Sequence, residues 1–157
     1  MLKHQHLIVR AEIKAPPRKD QIEWLNDWYA QLIEAIGMKV LIEPRTVYCD
    51  MPGNRGMTGI CAIETSSSDL HVWDEDSPAV LQFGLYSCSC IDIRVVFEKL
   101  AVFKPVRIDY HFLDRDDMTD PHDPHRITVI DQGRLIWEQH REESYRQDAP
   151  QSHPPGS

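Results

Sequence analysis

Apolar and polar side chains alternate over residues 6–15 (HLIVRAEIKA), several of them β-branched, and this period of two predicts a half-buried first strand. Pro16 and Pro17 punctuate it. From residue 20 to 36 the period lengthens. Ile22, Leu25, Trp28, Leu32 and Ile36 recur at three- and four-residue steps, the spacing of an amphipathic helix. Gly37 follows where a helix end takes a left-handed residue. Short strands are expected at 38–42 and 46–48, parted by Pro44, and residues 50–56 (DMPGNRG) form a loop by composition. Residues 57–63, 70–73 and 79–86 read as three successive strands. Ser66, Ser67 and Ser68 form a polar turn between the first two, and residues 74–78 form a turn between the last two. A second helix over 92–103 carries Ile93, Val96, Phe97 and Leu100 on one face, with Asp92 as its N-cap.

A strand over 106–113 comes next, then an acidic, Pro-containing loop over 114–125. Residues 127–130 and 135–138 flank Asp131, Gln132, Gly133 and Arg134, which predicts a terminal hairpin. From about Arg146 the chain is rich in Gln, Pro, Ser and His, so residues 146–157 are expected to be a disordered tail. The order of elements implies an α+β two-layer sandwich, one mainly antiparallel sheet with two helices on one face, as a single domain over residues 1–145. Trp24 and Trp28 on the first helix read as core or interface anchors.

Composition narrows the function classes. With 157 residues, 41% of them hydrophobic, the chain can bury one core. It has no run of eighteen apolar residues for a membrane span. The start, MLKHQH, enters the first strand with no signal-peptide pattern, so a cytoplasmic location is expected. A formal charge of −8 argues against nucleic acid as a partner and favours cationic ligands such as amines. Cys49, Cys61, Cys88 and Cys90 match no zinc pattern and are expected to be reduced thiols. His122, Asp123 and His125 sit in the acidic loop without the spacing of a defined metal site, so no metal is expected.

Chemistry concentrates between residues 58 and 88. Thr58-Gly59, Ser66, His71 and Cys88 bring hydroxyls, a base and a thiol onto neighbouring strands, the residue types of a nucleophile, a general base and a proton donor. Each also has a plain reading: a serine turn, a half-buried strand histidine, and two cysteines (Cys88 and Cys90) on one face of a strand. Cys90 is a rival to Cys88 as donor.

Taken in register, Thr58-Gly59, Ser66, His71-x-Trp73-x-Glu75 and Cys88 resemble the bacterial type of S-adenosylmethionine decarboxylase proenzyme, over roughly residues 6–113. The resemblance implies a pyruvoyl-dependent decarboxylase formed by self-cleavage between Thr65 and Ser66, acting in polyamine (spermidine) synthesis as a cytoplasmic homodimer. By position, Ser66 is the pyruvoyl precursor whose carbonyl forms a Schiff base with a small-molecule amine substrate. His71 is the base of processing, Thr58 a hydroxyl that assists it, and Cys88 the proton donor of turnover. Glu75 matches the glutamate that binds the substrate ribose. The cofactor implied is that pyruvoyl group, with no metal. Two positions depart from the pattern. Thr65 stands where the family has glutamate, which leaves open a non-processing relative with a binding or regulatory role. Met51-Pro52 stand where it has an adenine-stacking aromatic, which leaves open another amino acid, ornithine or arginine, as substrate.

Overall fold

The structure, a computed structural model, describes residues 2–148. Seven strands form one sheet: β1 (Gln5–Ile13), β2 (Val40–Cys49), β3 (Gly56–Ile63), β4 (Ser66–Trp73), β5 (Ala79–Ser87), β6 (Pro105–Asp114) and β7 (Val129–Ile136). They lie in the order β2-β3-β4-β5-β1-β6-β7, and every neighbouring pair is antiparallel. Helices α1 (Ile22–Ala35), α2 (Ile93–Leu100) and α3 (Trp137–Asp148) complete the α+β fold.

Strand alternation decides which face the helices cover. Leu7, Val9, Ala11 and Ile13 of β1, Met57, Cys61 and Ile63 of β3, and Leu81, Phe83 and Leu85 of β5 point to one face and are buried. Leu25, Trp28, Tyr29, Leu32 and Ile33 of α1 and Val96, Phe97 and Leu100 of α2 pack on them. Trp28 joins the two helices: its indole N–H donates to the Lys99 carbonyl at 3.1 Å and its ring lies 4.8 Å from that of Phe103. The expected helix ends hold. Gly37 (φ 79) donates to the Glu34 carbonyl and Met38 to that of Ile33, the paired bonds of a Schellman close. Asp92 accepts from the Arg94 N–H at 3.0 Å.

Four expectations are corrected. Pro44 does not divide two strands. It lies within β2, an edge strand whose register shifts on both sides of Ile42, where a missing N–H breaks no essential ladder bond. Ser66, Ser67 and Ser68 are not a turn but the start of β4, and the turn is Glu64 and Thr65. The terminal hairpin is instead the single strand β7, paired with β6 along residues 107–113. Gly133 makes no turn there; a Cβ on it would stand 3.3 Å from the Tyr110 ring, so its bare backbone admits that ring. Residues 137–148 form a third helix, anchored by buried Trp137, where strand and tail were expected. Residues 149–157, the rest of the expected tail, lie outside the described residues.

The opposite face of the sheet carries no helix. Between the buried positions it presents Ile8 and Arg10 of β1, Val47 of β2, Thr58 and Ile60 of β3, Asp69 and His71 of β4 and Gln82 of β5. Ile8, Val47 and Ile60 are 45%, 64% and 62% exposed. Towards β6 and β7 this face is ionic: Arg107 meets Glu12 (3.1 Å) and Asp109 (3.3 Å), and Arg134 meets Asp109 (2.7 Å).

Candidate active site

Two clusters divide the predicted residues. The first lies on the open face. Thr58 and His71 are paired across β3 and β4, and Thr58 Oγ1 is 3.3 Å from His71 Nδ1. On the other side of the ring, His71 Nε2 is 3.5 Å from Asp69 Oδ2. Asp69 and His71 share a face because they are two positions apart on one strand. Gly84, opposite Asp69 on β5, makes room for the carboxylate: a Cβ there would lie 2.6 Å from Asp69 Oδ1. Carboxylate, imidazole and hydroxyl in a row can orient the ring, take a proton and stabilise the imidazolium that results.

The second cluster sits at the turn between β3 and β4. Thr65 is held at φ 51, in the left-handed region that a β-branched side chain seldom occupies. The β4–β5 register runs Ser68↔Leu85 and Ser67↔Tyr86, and continuing it sets Cys88 across from Thr65. Thr65 Oγ1 lies 2.9 Å from Cys88 Sγ and 2.9 Å from its neighbour's carbonyl, on Glu64. The Cys88 N–H donates to Ser66 Oγ at 3.0 Å, and Cys88 Sγ is 3.6 Å from the Glu64 carbonyl oxygen. Hydrogen bonds from the Thr65 hydroxyl first, and the Ser66 hydroxyl second, hold the Cys88 thiol below its ordinary pKa. By contrast, burial pushes Cys61 up to about 11. Cys90 lies past the turn, exposed, beside α2.

Within one chain the clusters do not meet. His71 lies five residues beyond Ser66 on β4, roughly 16 Å at the rise of an extended strand, and on the opposite face. Glu75 is farther along and exposed, its Oε1 accepting from the Gly53 N–H at 2.9 Å. Trp73 Nε1 donates to Asn54 Oδ1 at 2.9 Å, so both residues tie the 50–55 loop to the end of β4. The sequence reading set Thr58, Ser66, His71 and Cys88 in one site; the structure brings Ser66 to Cys88 and Thr58 to His71 and keeps the two pairs apart within the chain. That reading missed Asp69, whose signal was the two-residue step to His71, and it missed the role open to the Thr65 hydroxyl. Ser68 is spoken for: it accepts from Tyr29 Oη at 2.7 Å and donates to the Gly84 carbonyl at 2.8 Å, in the core.

Comparison with known protein families matches residues 5–116 to S-adenosylmethionine decarboxylase. The chain belongs to this family. It is therefore a carboxy-lyase of the S-adenosylmethionine decarboxylase kind, a family of polyamine biosynthesis. Its fold is similar to that of the adenosylmethionine decarboxylase from Aquifex aeolicus VF5, with a TM-score of 0.55 at 16% identity, over 73% of this chain and 91% of that one. Among curated proteins no sequence match is found. The family match ends before β7 and α3. Among the described residues, no helix is long and apolar enough to cross a membrane, and no three His, Cys, Asp or Glu side chains gather as they would around a metal ion.

Proposed function

We propose that the chain is a proenzyme that cleaves itself between Thr65 and Ser66, leaving a pyruvoyl group at residue 66, and then decarboxylates S-adenosylmethionine for spermidine synthesis. The observation that carries this reading is the turn itself. The bond assigned to cleavage follows a left-handed, β-branched residue, and the Ser66 hydroxyl beside it is held by the Cys88 N–H. A strained peptide next to an oriented hydroxyl suits attack of Ser66 Oγ on the Thr65 carbonyl carbon, which exchanges the peptide bond for an ester. Removal of the Cα proton of residue 66 then expels the Thr65 carboxylate, and water replaces the nitrogen as ammonia to give the ketone.

His71, oriented by Asp69, suits the role of that base, and Thr58 beside it suits stabilisation of the oxyanion in the first step. Because His71 is roughly 16 Å from Ser66 in its own chain, the reading requires a homodimer in which each His71, Thr58 and Glu75 serves the Ser66 and Cys88 of the partner subunit. The uncovered sheet face, with Ile8, Val47 and Ile60 exposed, supports such a contact. When present, the pyruvoyl carbonyl supplies an electron sink for the breaking C–CO₂ bond of an amine substrate. Cys88 then returns a proton to the substrate carbon, a task suited to a thiol whose pKa the Thr65 and Ser66 hydroxyls hold below its ordinary value. The cytoplasm is the compartment proposed for this chemistry.

Release of labelled CO₂ from carboxyl-labelled S-adenosylmethionine tests the reading. Purified protein should release it, and Ser66→Ala should not. Equal release from ornithine or arginine would instead overturn the substrate assignment.

A further inference from the structure

The role given to Cys88 above belongs to turnover, after cleavage, yet in the uncleaved chain its thiol is already engaged at the bond that must break. We propose that Thr65 is a positioning residue of self-cleavage: its hydroxyl fixes the Cys88 thiolate against Ser66, and that thiolate takes the Ser66 proton. This inference rests on the self-cleavage reading and adds to it the base of the first step.

The geometry supports it from three sides. Thr65 Oγ1 stands 2.9 Å from Cys88 Sγ, so its one proton can point to the sulfur when the sulfur is anionic, or to the Glu64 carbonyl when it is not. The Cys88 N–H fixes Ser66 Oγ at 3.0 Å, which sets that hydroxyl against the residue whose thiol pKa it helps to lower. His71 of the same chain is on the far face and five residues away, and the partner's His71 is already assigned the Cα proton of the second step, so Cys88 is the group on the turn itself that engages Ser66. The thiol's lowered pKa agrees with this arrangement. Glu64, on the same turn, acts on the thiol in the opposite sense, and Lys3, from the segment before β1, donates its N–H to the Cys88 carbonyl at 3.2 Å. Cys90 follows two residues later, exposed, on the chain leading to α2.

The step balances. The proton passes from Ser66 Oγ to the sulfur, and the Oγ–carbon bond forms at Thr65. The carbon–nitrogen bond then breaks, and the thiol returns the proton to the nitrogen of residue 66, regenerating the thiolate. Thr65 here differs from the glutamate of the resembling family. A hydroxyl at this position stabilises the neighbouring thiolate, whereas a carboxylate would oppose it.

The test follows cleavage of freshly purified, uncut full-length protein by intact mass, from pH 5.5 to 9.5. In the unsubstituted protein the rate should rise with pH and level off once the thiolate predominates. Thr65→Val keeps the β-branch and removes the hydroxyl; it should slow cleavage about tenfold at neutral pH, the scale of a lost hydrogen bond to a charged group, and move the rise to higher pH. Thr65→Ser should restore both rate and profile, and Cys88→Ala should lose the rise altogether. Unchanged rate and profile in Thr65→Val, or in Cys88→Ala, would overturn the inference while leaving self-cleavage standing. An unsubstituted chain that never cleaves would overturn both.

Discussion

Ser66 and His71 stand on the same strand, five residues apart and on opposite faces of the sheet. A base and the proton it must remove cannot meet in that arrangement, so self-cleavage at Ser66 needs the two from different subunits. Co-expression tests this directly. Ser66→Ala and His71→Ala chains should each stay uncut alone, while mixed dimers should cut the His71→Ala chain using the His71 of the partner subunit. Cleavage of His71→Ala chains alone would show that His71 is not needed. Absence of cleavage in confirmed mixed dimers would contradict the shared site.

Asp69 should matter for the second step and not the first. Asp69→Asn leaves His71 without its carboxylate at 3.5 Å, and elimination should slow by about tenfold while the ester still forms. Hydroxylamine would then split the chain at 65/66 and leave a serine, not a ketone, on the second fragment. Gly84→Ala, whose Cβ would press on the Asp69 carboxylate, should behave the same way. Normal processing in both variants would remove Asp69 from the account.

The three adjacent serines should separate cleanly. Ser68→Ala leaves the Tyr29 hydroxyl without its acceptor in the core and removes a donor to the Gly84 carbonyl, which should cost about 1–3 kcal/mol in urea unfolding and leave cleavage intact at temperatures where the variant is folded. Ser67, exposed on the other face, should tolerate alanine in both assays. Loss of cleavage in a folded Ser68→Ala protein would move the cleavage site.

The thiols should differ in reactivity with pH. Cys88, its thiolate favoured by the Thr65 and Ser66 hydroxyls, should alkylate in the uncut protein at lower pH than an ordinary thiol. Cys61, at about 11 and buried, should stay unlabelled at pH 8. Peptide mass mapping of a brief iodoacetamide pulse distinguishes them, and a Cys88 that labels only above pH 9 would contradict the turn geometry.

Much of this arrangement was legible in the sequence where pattern and physics agree. Alternation in residues 6–15 and 57–63 marked the central strands, and the periodic residues of α1 with Gly37 marked its course and its end. Where local chemistry pointed one way and pairing another, pairing won. Ser66, Ser67 and Ser68 have turn composition, yet β3 and β5 flank them and supply ladder partners on both sides. Gly133 beside Asp131 suggested a turn, but the free edge of β6 drew the whole segment into one strand. α3 is polar nearly throughout and lacks an apolar stripe, so little besides Trp137 could announce it. The register of Thr58, Ser66, His71, Glu75 and Cys88 pointed to the family. Their division into two clusters could not be read until β4 was known to begin at Ser66, because only then does the odd spacing to His71 reverse the face.

Everything proposed for this chain depends on the bond between Thr65 and Ser66 breaking by itself. Intact-protein mass spectrometry of purified material, incubated to completion, measures this without assumptions about substrate. Two fragments are expected, residues 1–65 and 66–157, the second beginning with a pyruvoyl group. A single full-length mass after prolonged incubation would contradict it.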